Sequence, residues 1–360
     1  MRRQKVERWA LRVLRGFAPD AQRTTHNAGR AGQAGAALLA AMLTVTLVAT
    51  FAAAAMWQQW RAIEVETAER ARIQSAWILI GALDWSRLIL REDSLAQGGD
   101  GTDNLSEPWA VPLQEARLST FLAANRNVAQ VADASTDTAD AFLSGQITDQ
   151  QGLLNLRNLA GDKQVDASAL RQFARLFDYL GLPRPQLDQL AQQMQRATAR
   201  EGEPNTKPLL PQSVAQLGWW GLPQASIDAL TPHVTLLPVR TLVNLNTASA
   251  VVLWASADGL DMADAQRLVQ RRETQYFRSP ADAAELVRQG SAISASTHAV
   301  ASSYFEVRGR LRLDGAVVEE RSLVFKQRGD VRTLWRERGG LPAAAMLAQA
   351  PKMPGATTYP

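Results

Sequence analysis

The 360-residue chain contains no cysteine, which excludes disulfides, thiolate metal sites and a cysteine nucleophile. Histidine is scarce as well: His26 lies near the N-terminus, and His233 and His298 stand 65 residues apart. No HxxxH or similar ligand spacing joins them, so they read as polar loop residues rather than a metal centre. There is no Ser-His-Asp motif, no paired-carboxylate spacing, no phosphate loop and no GxGxxG after a strand, so no enzyme class has a foothold. Two further gaps concern the N-terminal quarter. No proline occurs between Pro19 and Pro108, and no charged residue between Arg30 and Arg61. The first leaves a long helix uninterrupted, and the second marks a stretch of membrane character.

Positive charge is unevenly placed. The formal net charge is +4, but residues 1–35 hold eight Lys/Arg against two Asp/Glu, which leaves 31 basic and 33 acidic side chains for the remainder. That remainder has no global field to attract a phosphate backbone. Behind the basic leader, Ala34 to Met56 is apolar save for Gly35, Thr44, Thr46 and Thr50, long enough to cross a bilayer at about 20 residues per span. Trp57 and Trp60 follow at the place of a membrane interface. The excess of Lys/Arg ahead of the span puts the N-terminus in the cytoplasm, and the bulk of the chain is then expected outside. A secretory signal would have a shorter apolar core ending at an A-x-A-like site.

Beyond the span, helical spacing continues through Ile73, Trp77, Ile80, Leu83 and Leu90, a stripe expected to face a core, with Asp84 and Arg87 as a local ion pair. A Gly/Asp/Ser-rich loop covers 93–106. Ile147 enters a strand, Gln150–Gly152 turn, and Leu154 and Leu156 alternate with polar residues, which predicts a β-hairpin. From about 160 to 300 the pattern is helical, with helices predicted near 170–180, 186–199, 211–217, 224–231, 247–256, 261–272 and 279–289. The period then falls to two: "SSYFEVRGRLRL" from 302, a turn at Asp314-Gly315, "AVVEERSLVFKQ", and a third strand at 330–335. Strands separated by a helical module form one sheet interrupted by an insertion.

Gly35, followed at once by an apolar helix starting at Ala36, resembles the class III signal of type IV pilins and type II secretion pseudopilins. The resemblance implies that a membrane prepilin peptidase cuts after Gly35 and that the helix stays with the mature protein. The fifth mature residue is Ala40, where most pilins have glutamate. Further stretches narrow the likeness: "EPWAVPL" at 107–113; "ITDQQGLLNLRNL", with Ile147, Asp149, Gly152, Asn155 and Asn158; "LLPVRTLVNLNTASAVVL", with Asn244, Asn246, Thr247 and Ala248; "SSYFEVRGR"; and "LWRER". Together they resemble the K-type minor pseudopilins of type II secretion, which also lack the position-five glutamate.

That resemblance implies an α+β, pilin-like fold: a long N-terminal transmembrane helix packed on an antiparallel sheet, with a large all-α domain inserted between strands. Its expected parts are a removed leader (1–35), the helix (36–92), the first part of the pilin-like domain (93–158), the insert (159–300), the C-terminal strands (301–338) and a disordered tail (339–360). It implies a non-enzymatic subunit in the inner membrane whose partners are I- and J-type minor pseudopilins, other pseudopilins, the prepilin peptidase and membrane lipid. Many relatives bind calcium through an acidic stretch of the insert. The corresponding segment here, 186–207, has only Asp188, Glu201 and Glu203, too few for a cation that takes six to eight oxygens, so no metal or other cofactor is expected.

A competing reading is a membrane-anchored DNA receptor, because 243–286 has the cadence of a helix-hairpin-helix unit. Asp258, Asp261 and Asp264 crowd its turn and would repel phosphates, and Arg267, Arg271 and Arg272 read as a solvated helix face. No nucleic acid is therefore expected as a partner. The processing reading has a direct check. In cells with active prepilin peptidase the wild-type chain is expected to run on a gel as a form shortened by its leader, and Gly35→Ala as the full-length precursor; equal mobility would refute cleavage at this glycine.

Overall fold

The computed structural model describes residues 34–95, 101–120, 141–199, 207–288, 292–313 and 316–339. Expectations for the leader up to residue 33, the Asp314-Gly315 turn, Glu201 and Glu203, and the tail from 340 lie outside the described residues. Two compact units divide the chain, residues 1–66 and 67–360, and helix α1 (Ala34–Leu95) contributes to both.

In the first unit, Ala36 to Glu66 has no buried side chain. Leu38, Leu39, Met42, Leu43, Val48 and Phe51 are each at least 60% exposed, so this is a surface built for an apolar solvent. The hydroxyls of Thr44, Thr46 and Thr50 donate to the carbonyls of Ala41, Leu43 and Leu47 at 2.8–2.9 Å. These three polar groups thus find partners inside their own helix, as lipid exposure requires. Trp57 and Trp60 are exposed and meet edge to face at 5.6 Å.

The second unit carries a five-stranded antiparallel sheet in the order β1 (Leu113–Arg117), β2 (Phe142–Asp149), β7 (Tyr304–Leu313), β8 (Ala316–Gln327), β9 (Asp330–Arg338). The C-terminal strands are a meander, as the period-two pattern predicts. β2 lies beside β7, with Asp149 opposite Phe305 and Phe142 opposite Arg312. Everything from Gln150 to Ser303 therefore departs from the sheet and returns to it at neighbouring strand ends.

The excursion is mainly helical: α2 (Ala167–Leu180), α3 (Arg184–Thr198), a 3-10 segment (Val214–Trp220), α4 (Gln224–Leu230), α5 (Ala250–Ser256), α6 (Met262–Thr274) and α7 (Pro280–Ala284). Asp166 caps α2 by accepting from the N–H groups of Ser168 and Ala169, and Gly181 ends it in the left-handed region at φ 67°. Phe173, Leu176, Phe177, Leu190, Met194, Leu217, Leu230, Val252, Leu253 and Leu268 share one core. Each such side chain contributes about 1.5–3 kcal/mol on burial. The module is not purely helical, because two parallel bridges tie it together: β3 (Leu154–Asn155) with β4 (Val234–Thr235), and β5 (Val243–Asn244) with β6 (His298–Ala299).

Two local expectations are corrected. The predicted hairpin over 147–156 does not form. Ile147 and Asp149 belong to β2, Gln150–Gly152 and Leu156–Leu159 are 3-10 turns, and Leu154–Asn155 pairs in parallel with a distant strand. The cause is side-chain capping. Asp149 accepts from the Gln151 N–H and Asn155 from the Arg157 N–H, so the backbone turns locally instead of folding back, while Leu154, Leu156 and Leu159 are drawn into the module core. The stripe on α1 is also rotated. Leu83 and Leu90 are buried and Ile80 is half-buried as expected, but Ile73 and Trp77 are exposed and Ser75 and Leu79 are buried in their place.

The reason lies across from the helix. A Cβ on Gly309 would stand 2.7 Å from Leu79 Cδ1, so α1 runs close against the sheet backbone where Gly145 and Gly309 face each other. Leu79 and Leu83 fill that approach. Below it Leu83, Leu90, Trp109, Ile147, Phe305, Val307, Val324 and Val331 form the helix–sheet core. The expected Asp84–Arg87 pair is present at 3.2 Å, and Arg87 also donates to the carbonyl of Val331. Gly309→Val should lower unfolding stability by about 1–3 kcal/mol through overpacking against Leu79, measurable by denaturant titration, with Gly309→Ala intermediate.

Candidate functional site

The motif residues singled out in the sequence come together at the neck where the helical module joins the sheet. Asp149, at the last position of β2, is 5% exposed. Its Oδ1 accepts from the Gln151 N–H at 2.8 Å. Its Oδ2 accepts from Thr247 Oγ1 at 2.6 Å, Ser302 Oγ at 2.6 Å and Asn244 Nδ2 at 3.1 Å. Asn244 is fully buried. Its amide also reaches the Asp103 carbonyl at 3.0 Å and Ser302 Oγ at 2.9 Å, and its Oδ1 accepts from the Asn246 N–H. Gly152 is required by proximity, since a Cβ there would lie 2.9 Å from Thr247 Oγ1 and 3.2 Å from the Thr247 carbonyl carbon.

The other motif asparagines pin loops. Asn155 donates to the Val239 carbonyl at 2.8 Å and to Thr241 Oγ1 at 3.0 Å, and accepts from the Leu237 N–H. Asn158 pairs with both backbone groups of Thr241, at 2.8 and 3.0 Å. Asn246 does the same to Phe277, at 2.9 and 2.8 Å. In both cases a side-chain amide imitates the donor–acceptor pair of a strand neighbour. Ala248 is fully buried and its N–H donates to the Asn244 carbonyl.

Burial pushes the Asp149 carboxyl up to about 6, against the pull of its bonds from Ser302, Thr247 and Gln151. Asp103 stands above its ordinary value for the same reason, although Lys326 beside it pulls it down. Burial would lower Lys326, but Asp103 and Asp93 outweigh it and hold the ammonium above the usual lysine value. Among the described residues, one group of three acidic side chains lies close enough to suggest a metal: Asp93, Asp103 and Glu107, with ligand atoms within 4.8 Å of one another. The ammonium of Lys326 already bonds two of them, Asp93 at 3.0 Å and Asp103, so part of the set is taken by the chain's own cation. In the segment 186–207, Asp188 is exposed.

The helix-hairpin-helix reading finds no support in the geometry. α5 and α6 do form a helical pair, with Gly259 at φ 83° in its turn. From α2, however, Arg175 donates to the carbonyls of Ala257 and Leu260 at 2.6 Å each, and Arg171 pairs with Asp258 at 2.8 Å. The turn is thus clasped by the module itself. Arg272 corrects the solvated-face expectation. It is half-buried, donates to the carbonyls of Leu245 and Ala248 at 2.7 and 2.6 Å, and burial lowers it to about 10. His298 is likewise no loop residue: it sits buried in β6 between Ser256 Oγ at 2.9 Å and Thr297 Oγ1 at 2.8 Å, held down at about 4 by burial.

Comparison with known proteins reads the same joint. Two family models, both described as type II secretion system (T2SS), protein K, match residues 152–239 and 243–307. Over these residues the chain is similar to the K-type pseudopilins of type II secretion. It is similar to the type II secretion system protein K of Pseudomonas aeruginosa, 28% identical over 303 residues, 77% of this chain and 85% of that one. A chain in the crystal structure of the GspK-GspI-GspJ complex from the enterotoxigenic Escherichia coli type 2 secretion system shares the fold. Its TM-score is 0.53 at 17% identity, over 76% of this chain and 99% of that one. This pseudopilin therefore serves type II secretion as a minor pseudopilin and is membrane-anchored, and its family is known as structural.

Of the motif residues, Asp149, Gly152, Asn244 and Thr247 meet at the neck, and Asn155, Asn158 and Asn246 brace the loops around it. Gly35, Ala36, Ala40, Trp57 and Trp60 belong to the membrane helix, where Ala36 and Ala40 are exposed. Sequence reasoning missed Asp103, Ser302 and Lys326, which complete the pseudopilin's neck. Ser302 opens a motif already quoted; Asp103, in a Gly/Asp/Ser-rich loop, and Lys326, one lysine in an alternating strand, gave no local signal. Asp149→Ala would take their acceptor from the Gln151 N–H and the Thr247 and Ser302 hydroxyls, while Asn244 keeps other acceptors, and should cost about 2–4 kcal/mol. Chemical denaturation of the full chain in detergent would measure it, and proteolysis is expected to become faster at 150–155 and 240–250.

Proposed function

We propose that this chain caps the type II secretion pseudopilus: together with I- and J-type minor pseudopilins it forms a tip complex that initiates the filament and supports export of folded proteins across the outer membrane. The observation that carries the reading is a large module inserted between adjacent strands of a pilin-like sheet and locked there by Asp149, Asn244 and Ser302. A module of this size would obstruct a subunit stacked above it, which suits the end of a filament. On α1, Ile73, Trp77 and Leu88 are 55%, 70% and 50% exposed. They leave an apolar flank for the helices of partner subunits, and the GspK-GspI-GspJ complex is a precedent for such company.

The mature chain starts at Ala36 after peptidase cleavage, spans the inner membrane once with its N-terminus in the cytoplasm, and holds its sheet and module in the periplasm. Ala40 removes the carboxylate that would pair with the cationic N-terminus of a preceding subunit. A charge in the bilayer is costly unless partnered, so its absence frees the subunit from needing a predecessor. The role is mechanical, not enzymatic.

Co-expression with I- and J-type subunits, followed by affinity capture on this chain from detergent, is expected to recover a three-subunit complex. Trp77→Glu is expected to weaken recovery severalfold while leaving the thermal midpoint near wild type, because Trp77 is exposed. Failure of the wild-type chain to retain either partner would refute the tip reading.

A further inference from the structure

The neck extends to a second cluster whose charges do not balance. Asp93 comes from the last turn of α1, Asp103 and Glu107 from the segment leading to β1, and Lys326 from β8. The three carboxyl groups have oxygens within 4.8 Å of one another and share one ammonium, which bonds Asp93 and Asp103 but not Glu107. Glu107 is half-buried, and it accepts from Asn104 Nδ2 at 2.7 Å and from Trp109 Nε1. Trp109 is 2% exposed, packs edge to face on Phe305 at 5.1 Å and joins Leu83 and Leu90 of α1 in the helix–sheet core. Asp103 in turn accepts from the Ser302 N–H at 2.8 Å and offers its carbonyl to Asn244.

With all three acids ionised the cluster carries three negative charges against one positive, in a partly dry site where like charges at this spacing repel strongly. One more positive charge would cut the excess from two negative charges to one. We propose that this charge is a proton on Glu107, and that the cluster is a proton-dependent latch clamping the 101–110 segment between the end of α1 and the neck of the helical module. When the proton leaves to solvent, Glu107 faces Asp93 and Asp103 unrelieved, and the strand-side packing of Trp109 loosens.

The groups around Glu107 support this. Asp93 faces it from α1 and Asp103 from its own segment, with Lys326 from β8; Asp149 of β2 stands behind Asp103, and Phe305 of β7 packs on Trp109 and under the Lys326 ammonium. Burial lifts Glu107 to about 8; the Trp109 N–H opposes this, Asp93 and Asp103 reinforce it, and Lys326 opposes it again. The folded value thus lies above the ordinary 4.5, so the latch's contribution to stability is complete at acid pH and is lost as pH rises through about 8.

The test is thermal unfolding of the full chain in detergent micelles from pH 6 to 9.5, with EDTA throughout so that no divalent cation replaces the proton. The wild-type midpoint should fall by a few degrees from pH 6 to about 8 and level off above it. Glu107→Gln, which cannot ionise, should lose that fall, and Asp93→Asn, which removes one repelling charge, should shift it to lower pH. The latch is overturned if Glu107→Gln keeps the wild-type slope, or if Asp93→Asn leaves the position of the fall unchanged.

Discussion

A single buried carboxylate sets what the rest of this fold must satisfy. Asp149 ends β2 and accepts four hydrogen bonds, one from the turn that follows it and three from residues 95, 98 and 153 positions away in sequence. A charge out of water is costly unless its lone pairs are filled. Here the four donors arrive from three segments, so the group is satisfied only when the turn after β2, the Asn244–Thr247 turn and the approach to β7 are all in place. An apolar neck would bring the same segments together without dictating which residue meets which. A polar neck with directional bonds fixes one register.

That register matters because of the topology. β2 and β7 pair along eight positions with a whole helical module between them in the chain. Loop-closure entropy rises only slowly with length, so a long insertion is thermodynamically tolerable when its ends lie close together. They do here. Asp149 pairs with Phe305, and just outside that pair Gln151 Oε1 accepts from the Ser303 N–H at 2.7 Å. The module therefore hangs from a neck two strands wide, and the neck's bonds, not the module's own core, decide how it joins the sheet.

Periodicity disclosed what depends on neighbours in sequence. The helices of the module, their stop at Gly181, and the C-terminal meander were all legible, because a 3.6 or 2.0 repeat and a left-handed glycine are local properties. Ile147 to Leu156 misled for the opposite reason. Alternation there looks like a returning strand, but Asp149 and Asn155 spend their side chains on capping, and the leucines face a core built from residues far along the chain. Ile73 and Trp77 misled in a related way. Both faces of α1 near them are apolar enough for burial, and the choice between them is made by Gly309, more than two hundred positions later. The motif residues were found, but through a family likeness. Spacing alone gave no sign that Asp149 and Asn244 touch.

The same dependence explains why the membrane helix and the module can serve one machine while obeying different solvents. In the first unit the only requirement is that nothing polar goes unpaired, and Thr44, Thr46 and Thr50 meet it inside their own helix. From Ser75 onward the same helix faces a sheet, and its small residues and leucines are selected by how closely the backbone at Gly309 comes. By Asp93 it has reached the neck and ends on a carboxylate bonded to Lys326. One uninterrupted helix thus satisfies lipid, an apolar core and a polar joint in turn. Each transition is made by side-chain choice, with no break in the backbone hydrogen bonding of Ala34–Leu95, which a proline in the helix interior would have interrupted.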